Sequence, residues 1–284
     1  MNASLALRSR APRLAAMLAN RRAALGLFLV GLAVFAALFA PLLSPYLPDK
    51  PDFVAILKGP SLAHPLGTDD LGRDVFTRIL YGARVSLLVG TFSVASALVL
   101  GAALGSIAGY VGGWLDSIIM RLMDVIFAFP SVLLALAITA VLGPSLTNAI
   151  LAIAVVNLPV FARIARAQTL VVRNLDYVEA KRALGFGPVN ILTRTILPNI
   201  AAPLIVQGSL LFASAIITES YLSFLGLGAQ PPTATWGNML RNSIAFLDLA
   251  PWLAWFSGMA IFVTVLGFNL VGDALRDLFD PRET

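Results

Sequence analysis

Residues Tyr177 to Asn199 read YVEAKRALGFGPVNILTRTILPN, and this stretch decides how the rest of the chain is understood. It is polar, basic and helix-prone, and it lies between long hydrophobic runs. Lys181, Arg182 and Arg194 sit inside it, and Arg163, Arg166 and Arg173 lead into it. Leu170, Leu175, Val178 and Leu184 carry a loose helical spacing with charges between them. Gly185 stands where a helix C-terminal cap is expected, and Gly187-Pro188 makes a turn. A second short helix, Val189 to Ile196, is expected to stop before Pro198. The stretch therefore reads as a helix–turn–helix outside the hydrophobic spans. A plain connecting loop is the simpler reading, but connecting loops are short and this one carries its own secondary structure.

Composition puts those spans in a membrane. Of the 284 residues, 58% are hydrophobic and 12% are charged. Mean hydropathy is +0.87. No soluble globular surface can be made from that balance. A bilayer crossing needs about 20 apolar residues, and the length allows about six crossings plus loops. Backbone groups in lipid must be satisfied within the element, so the spans are expected to be helices; no alternation suggests a barrel. The fold class expected is all-α and polytopic. A net charge of +5 reads as topology and contact with anionic membrane lipid, not as nucleic-acid binding. The chain has no Cys and one His, which excludes a disulfide framework and a thiolate or His-cluster metal site.

Taken in order, residues 1–24 form a basic arm with Arg8, Arg10, Arg13, Arg21 and Arg22. Residues 25–43 form the first membrane helix, too long for a typical signal-peptide core. Residues 44–82 form an outer loop, Pro-rich and extended in its first half. Its second half reads as a helix capped near Thr68 or Asp69. Asp69, Asp70 and Asp74 suit the first turn of that helix and Arg78 the last. His64 reads as a solvated loop histidine. Residues 83–273 hold five further spans, with the polar segment at 167–199, and residues 274–284 form a charged tail. Ala97, Gly101, Gly105 and Gly109 recur every fourth residue in span two and make a face for close helix approach. Span three is expected over about Leu115 to Leu142, kinked at Pro130, with Arg121 and Asp124 pairing on one face. Asn157, Gln207 and Glu219 are the polar members of later spans and the candidates for a translocation path. Glu219 lies near the outer end, and is expected to snorkel or to face water. Trp236, Trp252 and Trp255 fit an aromatic belt at the outer face. With six spans and an arginine-rich N-terminus inside, both termini are cytoplasmic, and the basic segments fall on the inner side.

Three separated stretches resemble one family. Glu179-Ala180, then Gly185, then Leu197-Pro198 resemble the EAA motif of permeases in ATP-binding-cassette (ABC) importers; Lys181 replaces the usual second alanine. Gly67, Thr68, Asp69, Gly72, Arg73, Asp74 and Arg78 resemble the segment before the second span in permeases for dipeptides, oligopeptides and nickel. Ser223 to Gly228, Pro231-Pro232 and Trp236-Gly237 resemble another stretch of the same group. The resemblance implies the type I importer permease fold and the C-type subunit of such a system. It implies a second permease as heterodimer partner, two ATP-binding subunits that carry ATP and magnesium, and an extracytoplasmic solute-binding protein, all at a bacterial inner membrane. It gives Glu179, Ala180, Gly185, Leu197 and Pro198 the task of docking on the ATP-binding subunit. ATP-driven closure of that subunit pair would then turn the cavity outward, and hydrolysis would return it.

The chain's own chemistry agrees with a partner-driven role. Lys50 precedes Pro, Lys58 precedes Gly and Lys181 precedes Arg, so no phosphate-binding loop is present and ATP hydrolysis is expected on another chain. There is no Gly-x-Ser-x-Gly nucleophile elbow, and no catalytic or metal-binding residue is assigned. The alternatives are a permease for nickel or another small solute, and a secondary transporter driven by an ion gradient. The second would need discontinuous helices and mid-membrane coupling residues, for which only Pro130 and Pro159 offer a hint.

Overall fold

In a computed structural model, residues 20–279 are described; most of the basic arm and the end of the tail, including Arg8, Arg10, Arg13 and Arg282, lie outside them. Five helices are long and apolar enough to cross a bilayer: α1 (Arg21–Leu43), α2 (Val75–Val111), α5 (Leu146–Val172), α9 (Ala201–Phe224) and α11 (Trp252–Phe279). Between α2 and α5 stand α3 (Gly113–Phe127) and α4 (Ser131–Leu142), bent by 91° to each other. The single kinked span expected there is thus broken into two helices at a right angle, and the crossings number six when the pair is counted as one. Pro130 lacks an N–H and constrains the residue before it, so the helix ends at Phe127 and restarts at Ser131. Shorter pieces complete the described chain: α6 (Asp176–Ala183), α7 (Pro188–Ile191), a π-helical turn (Leu192–Ile196), α8 (Leu197–Asn199), α10 (Trp236–Ser243) and a 3-10 turn (Ile244–Phe246). The described residues contain no strand, only an isolated bridge from Thr68 to Asp74.

The packing follows membrane logic. Small residues face the protein and large apolar ones face outward. In α1, Ala23, Gly26, Ala33, Ala37 and Ala40 are buried, whereas Phe28, Leu32, Phe35 and Leu38 are exposed. Lipid tails solvate Leu and Phe as well as a core does, so close backbone approach is what holds such helices together. A Cβ on Gly26 would lie 2.7 Å from Leu270 Cβ in α11, and one on Gly267 of α11 would lie 2.9 Å from Leu29 Cβ. The most extensive pair is α2 with α5, and it uses the predicted glycine face. A Cβ on Gly101 would lie 2.6 Å from Phe161 Cβ, one on Gly105 would overlap the Ala162 carbonyl, and one on Gly109 would lie 2.8 Å from the Arg166 carbonyl.

Proline creates one further contact. Pro41 in α1 cannot donate to the carbonyl of Ala37 four residues back, and Arg84 of α2 donates to that carbonyl instead, with a second bond to Leu38 O at 3.2 Å.

The outer loop folds more tightly than an extended strand, and its helix begins later than Thr68 or Asp69. Asp74 is the N-cap of α2: its Oδ2 accepts from Thr77 N at 2.7 Å, and its Oδ1 meets His64 Nδ1 at 3.0 Å. His64 is therefore partnered, not solvated. Residues 67–73 instead form a compact loop before the helix. Asp69 Oδ1 accepts from Leu71 N and Arg73 N, and Gly72 stands with φ +74 where a Cβ would overlap Asp52 O. The Gly-Thr-Asp-x-x-Gly-Arg-Asp pattern is explained by this fold: two left-handed glycines and two carboxylates that cap backbone N–H groups. Trp236 is not in an aromatic belt. It is 2% exposed, its Nε1 donates to Ile79 O at 3.0 Å, and Gly82 leaves room for its ring. Trp252 is half-buried, donating to Thr68 O at 3.3 Å, and Trp255 is exposed.

Candidate functional site

The polar segment between α5 and α9 is built from the inside out. Helix α5 runs past the membrane-length stretch to Val172, so Arg163 and Arg166 belong to it and not to the connecting segment. Arg173 ends it and donates through Nη1 to Gly109 O at 2.6 Å, which ties the segment's start to the end of α2. The chain then breaks at Asn174-Leu175 before α6, so no continuous helix spans Leu170 to Leu184. One side chain anchors α6: Val178 is 0% exposed and joins the core beneath α2 and α5. Full burial of a valine is worth about 1.5–3 kcal/mol, enough to fix one face of an eight-residue helix that would not hold alone. Asp176 and Glu179 occupy the first turn and Lys181 and Arg182 the last, each matching the helix dipole.

Gly185 ends α6 as the sequence indicates. Its φ is +81°. Gly185 N donates to Arg182 O at 2.9 Å and Phe186 N to Lys181 O at 3.1 Å, the paired bonds of a Schellman cap. Pro188 then starts the return path at the first helical position, where its missing N–H is harmless. The return does not stop before Pro198. It continues through the π turn, where Leu197 N reaches back to Leu192 O, and on through α8 to Ile200, directly before α9. The wider turn accommodates a proline that an α-helix would reject. Ile191, Ile196 and Ile200 are buried in the same core as Val178. Lys181 Nζ bonds Thr195 Oγ1 at 2.7 Å and holds the two arms of the hairpin together, while Arg182 lies 5.1 Å over the Tyr110 ring.

What remains on the surface is a mixed face. Glu179, Ala180, Gly185 and Pro198 are exposed and Leu197 is half-buried. Leu184 at 76% and Val189 at 74% stand among them, with Tyr177 and Phe186 also exposed. Large apolar side chains on a polar loop are what a protein-contact surface presents.

A second cluster was not legible in the sequence. Arg166 makes a bidentate pair with Asp116, Nε to Oδ1 at 2.5 Å and Nη2 to Oδ2 at 2.6 Å, and Arg163 Nη2 reaches Asp124 Oδ1 at 2.6 Å. These pairs join α3 to α5 around an open hollow of about 420 Å³. The expected partnership of Arg121 with Asp124 does not form; the carboxylate turns to Arg163 on the neighbouring helix. Nothing in the local spacing connects positions 50 residues apart.

The path candidates do not make one site. Asn157 is buried in α5, Gln207 is half-buried in α9, and no side-chain hydrogen bond joins any two of the three among the described residues. Gln207 and Glu219 stand about 18 Å apart along one helix. Glu219 is 0% exposed and accepts from Ser223 Oγ at 2.6 Å, so it neither snorkels nor faces water.

Comparison with known proteins agrees with this geometry. The family model described as the binding-protein-dependent transport system inner membrane component matches residues 101–284. The chain belongs to this family. A second model, the N-terminal transmembrane domain of oligopeptide transport permease C, matches residues 14–60. The dipeptide transport system permease protein DppC of Alkalihalophilus pseudofirmus is 49% identical over 93% of this chain and 86% of its own length. The glutathione transport system permease protein GsiD of Pectobacterium atrosepticum is 47% identical over 91% of this chain and 86% of its own. Among solved structures, the inward-facing MetNI methionine ABC transporter superposes with a TM-score of 0.58 at 18% identity, over 71% of this chain and 96% of that one. That likeness establishes the type I importer fold. The permease is thus a multi-pass membrane transport component and by family is not an enzyme.

Proposed function

We propose that this permease carries short peptides inward across a bacterial inner membrane as one of two transmembrane subunits. The observation that supports the solute class is 49% identity to a dipeptide permease over nearly the whole chain, with a relative for glutathione, itself a tripeptide, close behind. Nickel and ion-gradient transport have no comparable support. The reading includes a second permease, two ATP-binding subunits that bind ATP and magnesium, and a solute-binding protein outside. Both termini lie in the cytoplasm. No cofactor is bound by this chain itself.

In this reading the exposed face of α6 and its bend docks on an ATP-binding subunit. Leu184 and Val189 enter apolar ground, while Glu179, Ala180 and Gly185 define the hairpin's shape and Leu197-Pro198 its return. Motion of the partner pulls on a rigid hairpin, because Val178, Ile191 and Ile196 lock both arms to the core of α2 and α5. Force therefore passes to the spans and is not absorbed in a loose loop.

Uptake into proteoliposomes holding the complete complex tests the proposal. Labelled dialanine, trialanine and glutathione should accumulate only with ATP inside the cytoplasmic-side compartment and with binding protein on the other side. Uptake driven by an ion gradient without ATP would refute it.

A further inference from the structure

The segment before α2 and the segment after α9 meet at the end of the molecule where α2 begins. There Arg73, Arg78 and Arg241, with Gln230 and Asn238, line a pocket of about 60 Å³. Arg73 and Arg78 are 6% and 3% exposed. They share one carboxylate: Asp69 Oδ2 lies 2.7 Å from Arg73 Nε and 3.4 Å from Arg78 Nε. Asp70 adds a 3.5 Å contact to Arg73, Pro48 O accepts from Arg78 Nη1 at 2.7 Å, and Asp49 acts on Arg78 from further away. The buried pair is thus compensated within the chain.

Arg241 is different. It has no acidic partner and donates no side-chain hydrogen bond among the described residues. Its guanidinium lies against Gly226, where a Cβ would overlap Nη1, and Gly226 holds a φ of +82°. A glycine in a left-handed turn thus makes the space that seats a free guanidinium beside two buried ones. Gln230 and Asn238 are occupied in holding the turn: their amide nitrogens donate to Gly226 O and Gly228 O, and to Ala229 O. The charged donors left over are guanidinium N–H groups, led by the solvent-exposed Arg241, with the Thr233 hydroxyl and the Asn242 amide beside them; the planar guanidinium fork matches a carboxylate.

We infer that this pocket binds a single carboxylate, presented by a small solute. The inference stands on the pocket and does not depend on which solute is transported.

The chain lacks cysteine, so Asn242→Cys at the pocket wall accepts one environment-sensitive fluorophore. The labelled full chain, purified in detergent, is titrated with acetate against chloride at constant ionic strength. A saturable response to acetate and not chloride is expected. Arg241→Gln should move it at least tenfold to higher concentration, and Arg241→Lys by less, with an unchanged melting temperature in both. Equal responses to the two anions, or superimposable titrations for Arg241→Gln and the parent, would overturn the site. Dialanine and its C-terminal amide identify the source. Dialanine binding more tightly than acetate, with the amide inert, puts a peptide terminus in the pocket. An amide that binds as tightly as dialanine would overturn the carboxylate assignment.

Discussion

Gly185→Val isolates the proposed coupling bend from everything else in the permease. A Cβ at Gly185 would meet nothing within 4 Å, so the substitution adds no clash. The whole effect lies in the backbone, which holds φ at +81°. An L-residue in that region costs about 1–2 kcal/mol, and β-branching puts valine at the upper end. Such a change shifts a local equilibrium by about 5–30-fold away from the Schellman bend. The spans are untouched, because Val178 and Ile191 anchor the arms on either side of the bend, not the bend itself. The expected result is normal membrane insertion and normal co-purification of the second permease. Solute-stimulated ATP hydrolysis and transport in the reconstituted complex should fall, by up to about the same 5–30-fold. Gly185→Asn is the control: asparagine tolerates the left-handed region, so it should retain most activity. Wild-type transport in Gly185→Val would show that the bend transmits nothing. Equal loss in both variants would show that the backbone angle is not the cause.

Gly105→Leu should abolish assembly of the complex, since its Cβ alone overlaps the Ala162 carbonyl, whereas Gly31→Leu, with open space around it in α1, should assemble normally; size-exclusion profiles of the two decide the matter. Ser61→Cys should react with a membrane-impermeant maleimide on intact cells and Asn190→Cys only after permeabilisation, and the reverse pattern would invert the topology. Asp116→Ala and Arg166→Ala should each loosen α3 from α5, and the double variant should be no worse than either alone, because one bidentate pair is lost in all three; additive losses of thermal stability would show that the two residues act separately.

Legibility in the sequence tracked how local the cause was. Gly185 was readable because a left-handed cap needs only a glycine after a helical run. The glycine face of α2 was readable as a period-four pattern, although its partner, α5, was not. Pro130 was readable as a disturbance but not as a right angle, because the angle depends on what α3 and α4 each pack against. Asp74 reads from sequence as a first-turn acid and is the cap itself; the two left-handed glycines that delay the helix lie close to Asp52 and Trp252, distant in sequence. Pro198 misled for a similar reason. A π turn absorbed it, and no residue type announces a π turn. The ion pairs of Arg163 and Arg166 with α3 were beyond reach, since Arg121 offered Asp124 a nearer partner on paper and tertiary packing chose another.

These particulars bear on how the permease moves. The rigid unit is α2 with α5, joined by backbone contact at Gly101, Gly105 and Gly109 and extended into the polar hairpin by Val178, Ile191 and Ile196. Helix α3 is held to that unit by exposed and half-exposed ion pairs near both its ends, at Asp116 and Asp124, around an open hollow, with Ile119 and Met123 buried between them. Backbone-to-backbone packing has no slack, whereas solvent-accessible pairs exchange at little free-energy cost. If α6 docks on an ATP-binding subunit as proposed, a push there would move α2 and α5 together, and the joint expected to yield is the one between α5 and α3. High ionic strength should weaken that joint selectively. Distances between spin labels on α3 and α5 should broaden with salt, while those between α2 and α5 stay fixed. Equal broadening of both would mean that the glycine-packed pair is not the rigid element.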